Sequence, residues 1–191
     1  MKGQSKVGLL VVLGFILAAG AYGVATYNRL VRLHEQIPAA WSQVENVLQR
    51  RNDLIPNLVA TVKGYANVEE TVLNNIAQAR SGLLQAKTPD EKLAANDRLN
   101  VALLPLMRLQ ENYPQLKSND QFMRLQDELA GTENRIAVAR RRYNESIREY
   151  NTFIQQFPNS IWANIAGFHP KNEYYTAEPG SKVAPKVDFS K

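Results

Sequence analysis

The chain contains no cysteine. Disulfides, thiolate nucleophiles, zinc–thiolate sites and lipid attachment at cysteine are thereby excluded. Histidine is nearly missing as well, with His34 and His169 its two copies. A di-iron bundle needs Glu-x-x-His pairs on two helices, and neither histidine completes one. His34-Glu35 is not part of an H-E-x-x-H motif. The phosphate-cradling G-x-x-x-x-G-K, the nucleophile elbow G-x-S-x-G and the dinucleotide fingerprint G-x-G-x-x-G are absent too. One residual possibility is a carboxylate-only site, with Glu45 and Asp53 on one helix facing Glu128 or Glu145 on another. Such a site requires neighbours that adjust the carboxylate pKa values, and solvated surface acids are the plainer reading. The expectation is no enzyme, no cofactor and no metal.

Glycine and proline are sparse along most of the length, and charges alternate in sign. That composition favours helices over a sandwich. The net charge of +5 is modest. It suits proximity to anionic lipid head groups, although bases alternating with acids along helices usually mark a solvated face. The densest basic spots are Arg50-Arg51 and Arg140-Arg141-Arg142. Three consecutive arginines on a helix point in three directions, and Arg141 is spaced to pair with Glu145. With no aromatic-lined groove or known nucleic-acid fold in sight, nucleic acid is not an expected partner.

Long apolar runs are also missing, except one. Residues 7–26 read VGLLVVLGFILAAGAYGVAT. About 20 uncharged residues at 1.5 Å each cross a hydrocarbon core of roughly 30 Å. Tyr22 and Tyr27 stand towards the outer end, as interfacial aromatics do. A cleaved signal peptide, with Ala19-Gly20-Ala21 as its processing site, is the competing reading. The run stays apolar beyond that site and favours an uncleaved anchor. Gly14 and Ala18, and Ala19 and Gly23, recur four apart, a spacing that lets spans pack closely. Lys2 and Lys6 precede the span, and Arg29 and Arg32 follow it. The compact basic flank resembles a signal-anchor n-region and favours export of the bulk, with the N-terminus in the cytoplasm of a bacterial cell (inner) membrane.

Beyond Tyr27 the apolar positions Leu30, Leu33, Ile37, Trp41, Val44, Leu48, Ile55, Leu58, Val62 and Tyr65 form one stripe, resuming at Val72, Ile76 and Leu83. Pro38 and Pro56 should kink this helix without ending it, and Gly64 is a further weak point. If continuous to Ala86 it would be on the order of 90 Å long. Thr88-Pro89-Asp90-Glu91 predicts a capped helix start. The helix it opens runs to about Glu111 and carries Leu93, Leu99, Leu103, Leu104 and Met107, with a bend at Pro105; Asn112-Tyr113-Pro114 follows as a loop. Ser118 with Gln121 predicts a second capping box. From there Phe122, Leu125, Leu129, Thr132, Ile136, Ala139, Tyr143, Ile147, Tyr150 and Ile154 repeat every three or four residues, close to a heptad. Phe157-Pro158 should stop it, and residues 159–166 read as a short helix closed by Gly167. The expected organisation is an all-α chain: a flank over 1–6, a transmembrane helix over 7–27, a long antiparallel, coiled-coil-like bundle over 28–168, and a disordered tail over 169–191.

Several stretches resemble the LemA family of bacterial membrane proteins. They are Y-N-R-L-V from Tyr27, Q-R-R-N-D-L-I-P-N-L-V-A-T-V-K-G-Y-A from Gln49, A-R-R-R-Y-N-E-S-I-R-E-Y-N-T-F-I-Q-Q-F-P from Ala139, and A-P-K-V-D-F from Ala184. The resemblance covers nearly the whole chain. It implies a tethered helical bundle without an assigned enzymatic activity. Many relatives carry a cysteine just before the Tyr-Asn motif, a lipoprotein feature that places the domain outside the cytoplasm. This chain keeps a span instead.

The resemblance marks Tyr27, Asn28, Arg50, Arg51, Asp53, Leu54, Pro56, Asn57, Tyr143, Asn144, Tyr150 and Asn151. Arg50 and Asp53, one turn apart, are placed to pair across the Pro56 kink, which frees the Asn52 carbonyl. Tyr143 and Tyr150, one heptad apart, are suited to pack against that kink. A bundle lock and a binding site are both open for this motif. The function expected is a membrane-anchored scaffold that self-associates and binds an unidentified protein partner, the alternative being a lipid-binding or membrane-shaping protein.

Overall fold

A computed structural model describes residues 2–172, with side chains from Lys6 onward. Every regular element among them is α-helical: α1 Lys2–Lys63, α2 Glu70–Gln85, α3 Pro89–Asn112, α4 Pro114–Lys117, α5 Asp120–Gln155 and α6 Asn159–Ile165. The protein is all-α, with one long apolar N-terminal helix leading into a bundle.

Helix α1 continues through both Pro38 and Pro56. A proline inside a helix removes one backbone donor and crowds the preceding turn. The apolar stripe on both sides supplies the compensation. Leu30, Leu33, Val44, Leu48, Ile55, Leu58 and Val62 are all buried. The helix does not reach Ala86, because the chain reverses after Lys63. The Gly64 N–H shares the Ala60 and Thr61 carbonyls, and the Tyr65 and Ala66 N–H groups both close on Val62. Helix α2 then folds back, leaving Tyr65 outside at 47% exposure.

Helix α3 opens with the expected capping box. Thr88 Oγ1 accepts from the Glu91 N–H at 3.2 Å, and Glu91 Oε2 accepts from the Thr88 N–H at 3.2 Å. Pro105 lies inside α3, which runs through Asn112. Its core side chain beside that proline is Leu106, fully buried, while Leu104 is 51% exposed. The cap of α5 sits one residue later than expected. Asn119 Oδ1 accepts from the Phe122 N–H at 2.8 Å, while the Ser118 hydroxyl closes α4 by donating to the Pro114 and Gln115 carbonyls. All ten stripe positions of α5 are buried.

Polar contacts between helices give the topology. Arg29 meets Glu149 and Arg50 meets Glu128, so α5 descends as α1 rises. Lys92 meets Glu45, and Arg51 meets Asn100, so α3 runs parallel to α1. The result is an up-down-up-down bundle in which α1 pairs with α5 and α2 with α3. Two cores lie along it. The far core joins α1 beyond Leu54 with α2, α3, α4 and the start of α5. The near core joins Leu30–Leu48 with Ile136–Ile154, Leu93 and Ala163.

Past α6 the backbone turns at Gly167, whose φ of 75° suits glycine. It then lies back on α5. Tyr150 Oη donates to the His169 carbonyl at 3.0 Å, and Asn151 holds both the N–H and the carbonyl of Lys171. The expected tail is thus tied down as far as Lys171, and its remainder lies outside the described residues.

The Glu91 carboxylate is held below its ordinary pKa by the N–H groups of Lys87 and Thr88. A lowered folded pKa contributes stability that is fully present above the unfolded value of about 4.3 and lost as pH falls through the folded value. Thr88→Ala should cost about 1 kcal/mol in denaturant titrations at pH 7. Glu91→Gln should remove part of the acid-side slope between about pH 5 and 3; an unchanged slope would show the box contributes nothing.

Candidate site: a buried polar waist and a membrane-proximal clasp

Between the two cores the stripe of α1 is interrupted. Val44, Leu48, Ile55, Leu58 and Val62 leave position 51 on the buried face, and Arg51 fills it at 6% exposure. Its guanidinium joins three helices: Arg51 on α1 bonds Asn100 on α3 and Glu133 on α5. Asn100 Nδ2 in turn donates to Glu133 Oε1 at 3.4 Å. Burial pushes the Arg51 pKa below its ordinary value, and Asp97 opposes that shift by holding the charge. Arg140 approaches Asp97 at 3.9 Å.

The same level holds Asn52 and Asn96, 3% and 0% exposed. Their buried amide atoms Asn52 Oδ1, Asn96 Nδ2 and Asn96 Oδ1 have no hydrogen-bond partner within the described residues, and neither does Arg51 Nε. Buried polar atoms of this kind normally bind ordered water or another polar group.

The expected pairing of Arg50 with Asp53 is replaced by a bond across helices. Arg50 Nε donates to Glu128 Oε1 at 3.0 Å, and Asp53 is exposed. The cause is the antiparallel register, which places Glu128 opposite Arg50 on the next helix. The Arg141–Glu145 pair is likewise superseded, since Glu145 pairs with Arg148. Glu45, Glu128 and Glu145 therefore each hold a cation separately. Among the described residues no three His, Asp or Glu side chains converge as a metal site. Leu54 is a core residue, Pro56 and Asn57 are exposed, and the Asn57 carbonyl accepts from Thr61.

Tyr143 and Tyr150 pack near Pro38 rather than Pro56, again because α5 descends alongside α1. The Tyr143 ring meets Trp41 edge-on at 5.2 Å, and Tyr150 meets His34 at 5.8 Å. Burial raises the Tyr150 pKa. Phe168 closes the cluster against His34 and Tyr27 at about 6 Å. Asn151 clamps Lys171, Asn144 is half-buried beside this cluster, and Asn28 is exposed.

The small residues of the span divide. Gly14 has nothing near its Cα, and Ala18 is exposed. Gly23 is covered from within the chain: a Cβ there would come within 2.8 Å of the Trp162 ring. Ala19, half-buried, lies between these two situations. A third feature is a groove between α2 and α3 of about 1010 Å³. Small side chains such as Ala79, Gly82, Ala94 and Ala102 form its walls.

Three features escaped the sequence reading. Arg51, marked by its motif, was not expected to be buried, and Asn96 was not marked at all; both sit where a stripe expects an apolar residue, and that skip is the signal that could have found them. Asn100 and Glu133 are visible only as partners of Arg51. Nothing local points Trp162 at Gly23.

These observations define a class, a membrane-associated helical bundle in which a buried arginine joins three helices. The chain belongs to the LemA family, whose model matches residues 40–189. It is similar to the magnetosome protein MamQ of Magnetospirillum gryphiswaldense, 27% identical over 80% of this chain and 65% of that protein. It is also similar to protein LemA of Metamycoplasma hominis, 29% identical over 64% of this chain and 58% of that protein. The chain thus spans less than two thirds of either relative's length.

The charge of Arg51 is buried, while Glu133 is 43% exposed. Removing the acid should therefore hurt more than replacing the pair. In chemical denaturation of the full chain in detergent, Glu133→Ala should cost about 3 kcal/mol. Arg51→Met with Glu133→Leu should fall within about 1 kcal/mol of the parent. The reverse order would refute a desolvated Arg51.

Proposed function

We propose that the protein is a membrane-anchored scaffold that works through its surfaces and self-associates. The supporting observation is that α1 runs unbroken from the apolar segment to the far end of the bundle. A helix that passes directly from the bilayer into the bundle carries it as a rigid body. The apolar window of α1 is almost wholly uncovered by the protein, unlike the core helix of a soluble protein, and its last turns hold α6. This reading takes the anchor as uncleaved, as the apolar run beyond Ala19-Gly20-Ala21 favours. The basic flank before the span favours a cytoplasmic N-terminus and an exported bundle at the bacterial inner membrane.

In this reading the polar waist locks the register of α1, α3 and α5, so the family motif of residues 50–54 is structural. Buried polar groups fix register in other helical assemblies at some cost in stability. Self-association falls to the Gly14–Ala18 face, where small residues four apart lie on the uncovered span. The groove between α2 and α3 takes an apolar helix of a partner protein: its walls are small side chains that allow close backbone approach, and Leu84, Val101 and Leu104 stay exposed on these two helices. No catalysis is assigned. The alternative of a lipid-binding protein is favoured by one observation, the bare apolar residues around α6.

Mass measurement of the full chain in mild detergent should give an oligomer. Gly14→Leu with Ala18→Leu should shift it towards monomer, whereas Gly23→Leu should disturb α6 instead. A parent that is monomeric at micromolar concentration would overturn self-association. Val101→Glu should abolish capture of a partner while leaving the oligomer and the helicity unchanged.

A further inference from the structure

We propose that α6 and its flanks form a second membrane contact, an apolar foot set in the boundary between lipid head groups and acyl chains. This rests on the anchored reading of α1, and the test below separates the two.

Register places the foot. The apolar run of α1 ends at Thr26, and α6 docks on its last turns. The Tyr22 hydroxyl donates to Asn159 Oδ1 at 2.7 Å, Trp162 lies on Gly23, and Thr26 is 4% exposed. Gly23 stands three residues before the end of the run, about 4.5 Å along the helix axis. If residues 7–26 fill the hydrocarbon layer, a ring packed on Gly23 lies at its edge, where tryptophan is enriched.

The surface fits that depth. Beyond these contacts Phe157 is 82%, Ile165 72% and Ile161 49% exposed, with nothing among the described residues covering them. In water this surface would be an unrecovered hydrophobic cost, and in the interface its burial is favourable. The turn is also prepared for a drier medium. The Ala166 N–H bonds the Trp162 carbonyl, the Gly167 N–H that of Asn164, and the Phe168 N–H that of Ala163. Between span and foot an apolar cleft of about 290 Å³, bounded by Gly20, Val24, Tyr27 and Ile165, opens sideways towards the lipid. The cleft is continuous with the uncovered face of the span, so its occupant is an acyl chain.

The chain has two tryptophans, Trp41 and Trp162, so Trp41→Phe leaves Trp162 as the sole reporter. The full chain would be reconstituted in phosphatidylcholine–phosphatidylglycerol vesicles whose acyl chains carry bromine near the glycerol end or near the methyl end. Trp162 emission should be blue-shifted and quenched at least roughly twofold more by the shallow bromine than by the deep one, as an interfacial indole requires. Ile165→Asp, at an exposed position, should weaken that quenching without loss of helicity. A control with Leu13→Trp, Trp41→Phe and Trp162→Phe reports the span and should be quenched most by the deep bromine. Quenching of Leu13→Trp but not of Trp162 would overturn the foot and leave the anchor standing. Trp162 shielded from bromine only at high protein-to-lipid ratio would give the face to a second copy and overturn the proposal. If neither reporter is quenched, the anchored reading falls first.

Discussion

The structure depends on one seam, the contact between the apolar stripes of α1 and α5. Each helix draws most of its stability from covering its apolar stripe. Together they bury Leu30, Leu33, Val44 and Leu48 against Ile136, Tyr143, Ile147 and Tyr150, and they set the axis to which every other element attaches. The α2–α3 hairpin widens the far half of that axis into a four-helix bundle. Among the described residues the near half is completed by Leu93 at the start of α3, by α6 and by the clasped segment around Phe168. The transition between the halves is where the polar waist sits.

That waist and the two cores divide the labour of folding. Apolar stripes are tolerant of sliding by a heptad, since one leucine layer resembles the next. A guanidinium that must find Asn100 and Glu133 at once is not. On the proposed reading, Arg51 converts a generic apolar seam into a specified one. Asn52 and Asn96, buried with open hydrogen-bonding capacity, mark a level of the bundle suited to ordered water. The large aromatics gather at the other end in two edge-on groups, Trp41 with Tyr143, and His34 with both Tyr150 and Phe168.

Much of this was legible in the sequence because helical period is a local property. The ten-position stripe of α5 and the cap at Thr88 depend on residues three or four apart, and the structure has both. Reversal is not local. The stripe of α1 continues in phase into α2, so periodicity alone extends the helix past Lys63; Gly64 marks the place without stating that the chain turns. Register between distant helices is less local still. The pairing of Arg50 with Glu128, and of Tyr143 with Trp41, follows from where the connections place α5 relative to α1. No spacing within either segment encodes it. The same applies to Gly23, whose spacing from Ala19 reads as span packing until Trp162, far along the chain, occupies its surface.

If residues 7–26 span the bilayer, the continuity of α1 through Pro38 and Pro56 has a mechanical consequence. From Thr26 to Lys63 the helix projects about 55 Å at 1.5 Å per residue. Spans tilt by about 20° on average, and they adjust that tilt to bilayer thickness. A lever of this length turns a 20° change of tilt into a sideways travel of roughly 20 Å at its tip. Local thinning or thickening of the lipid would thereby be read out as position, far from the membrane, at the turn after Lys63.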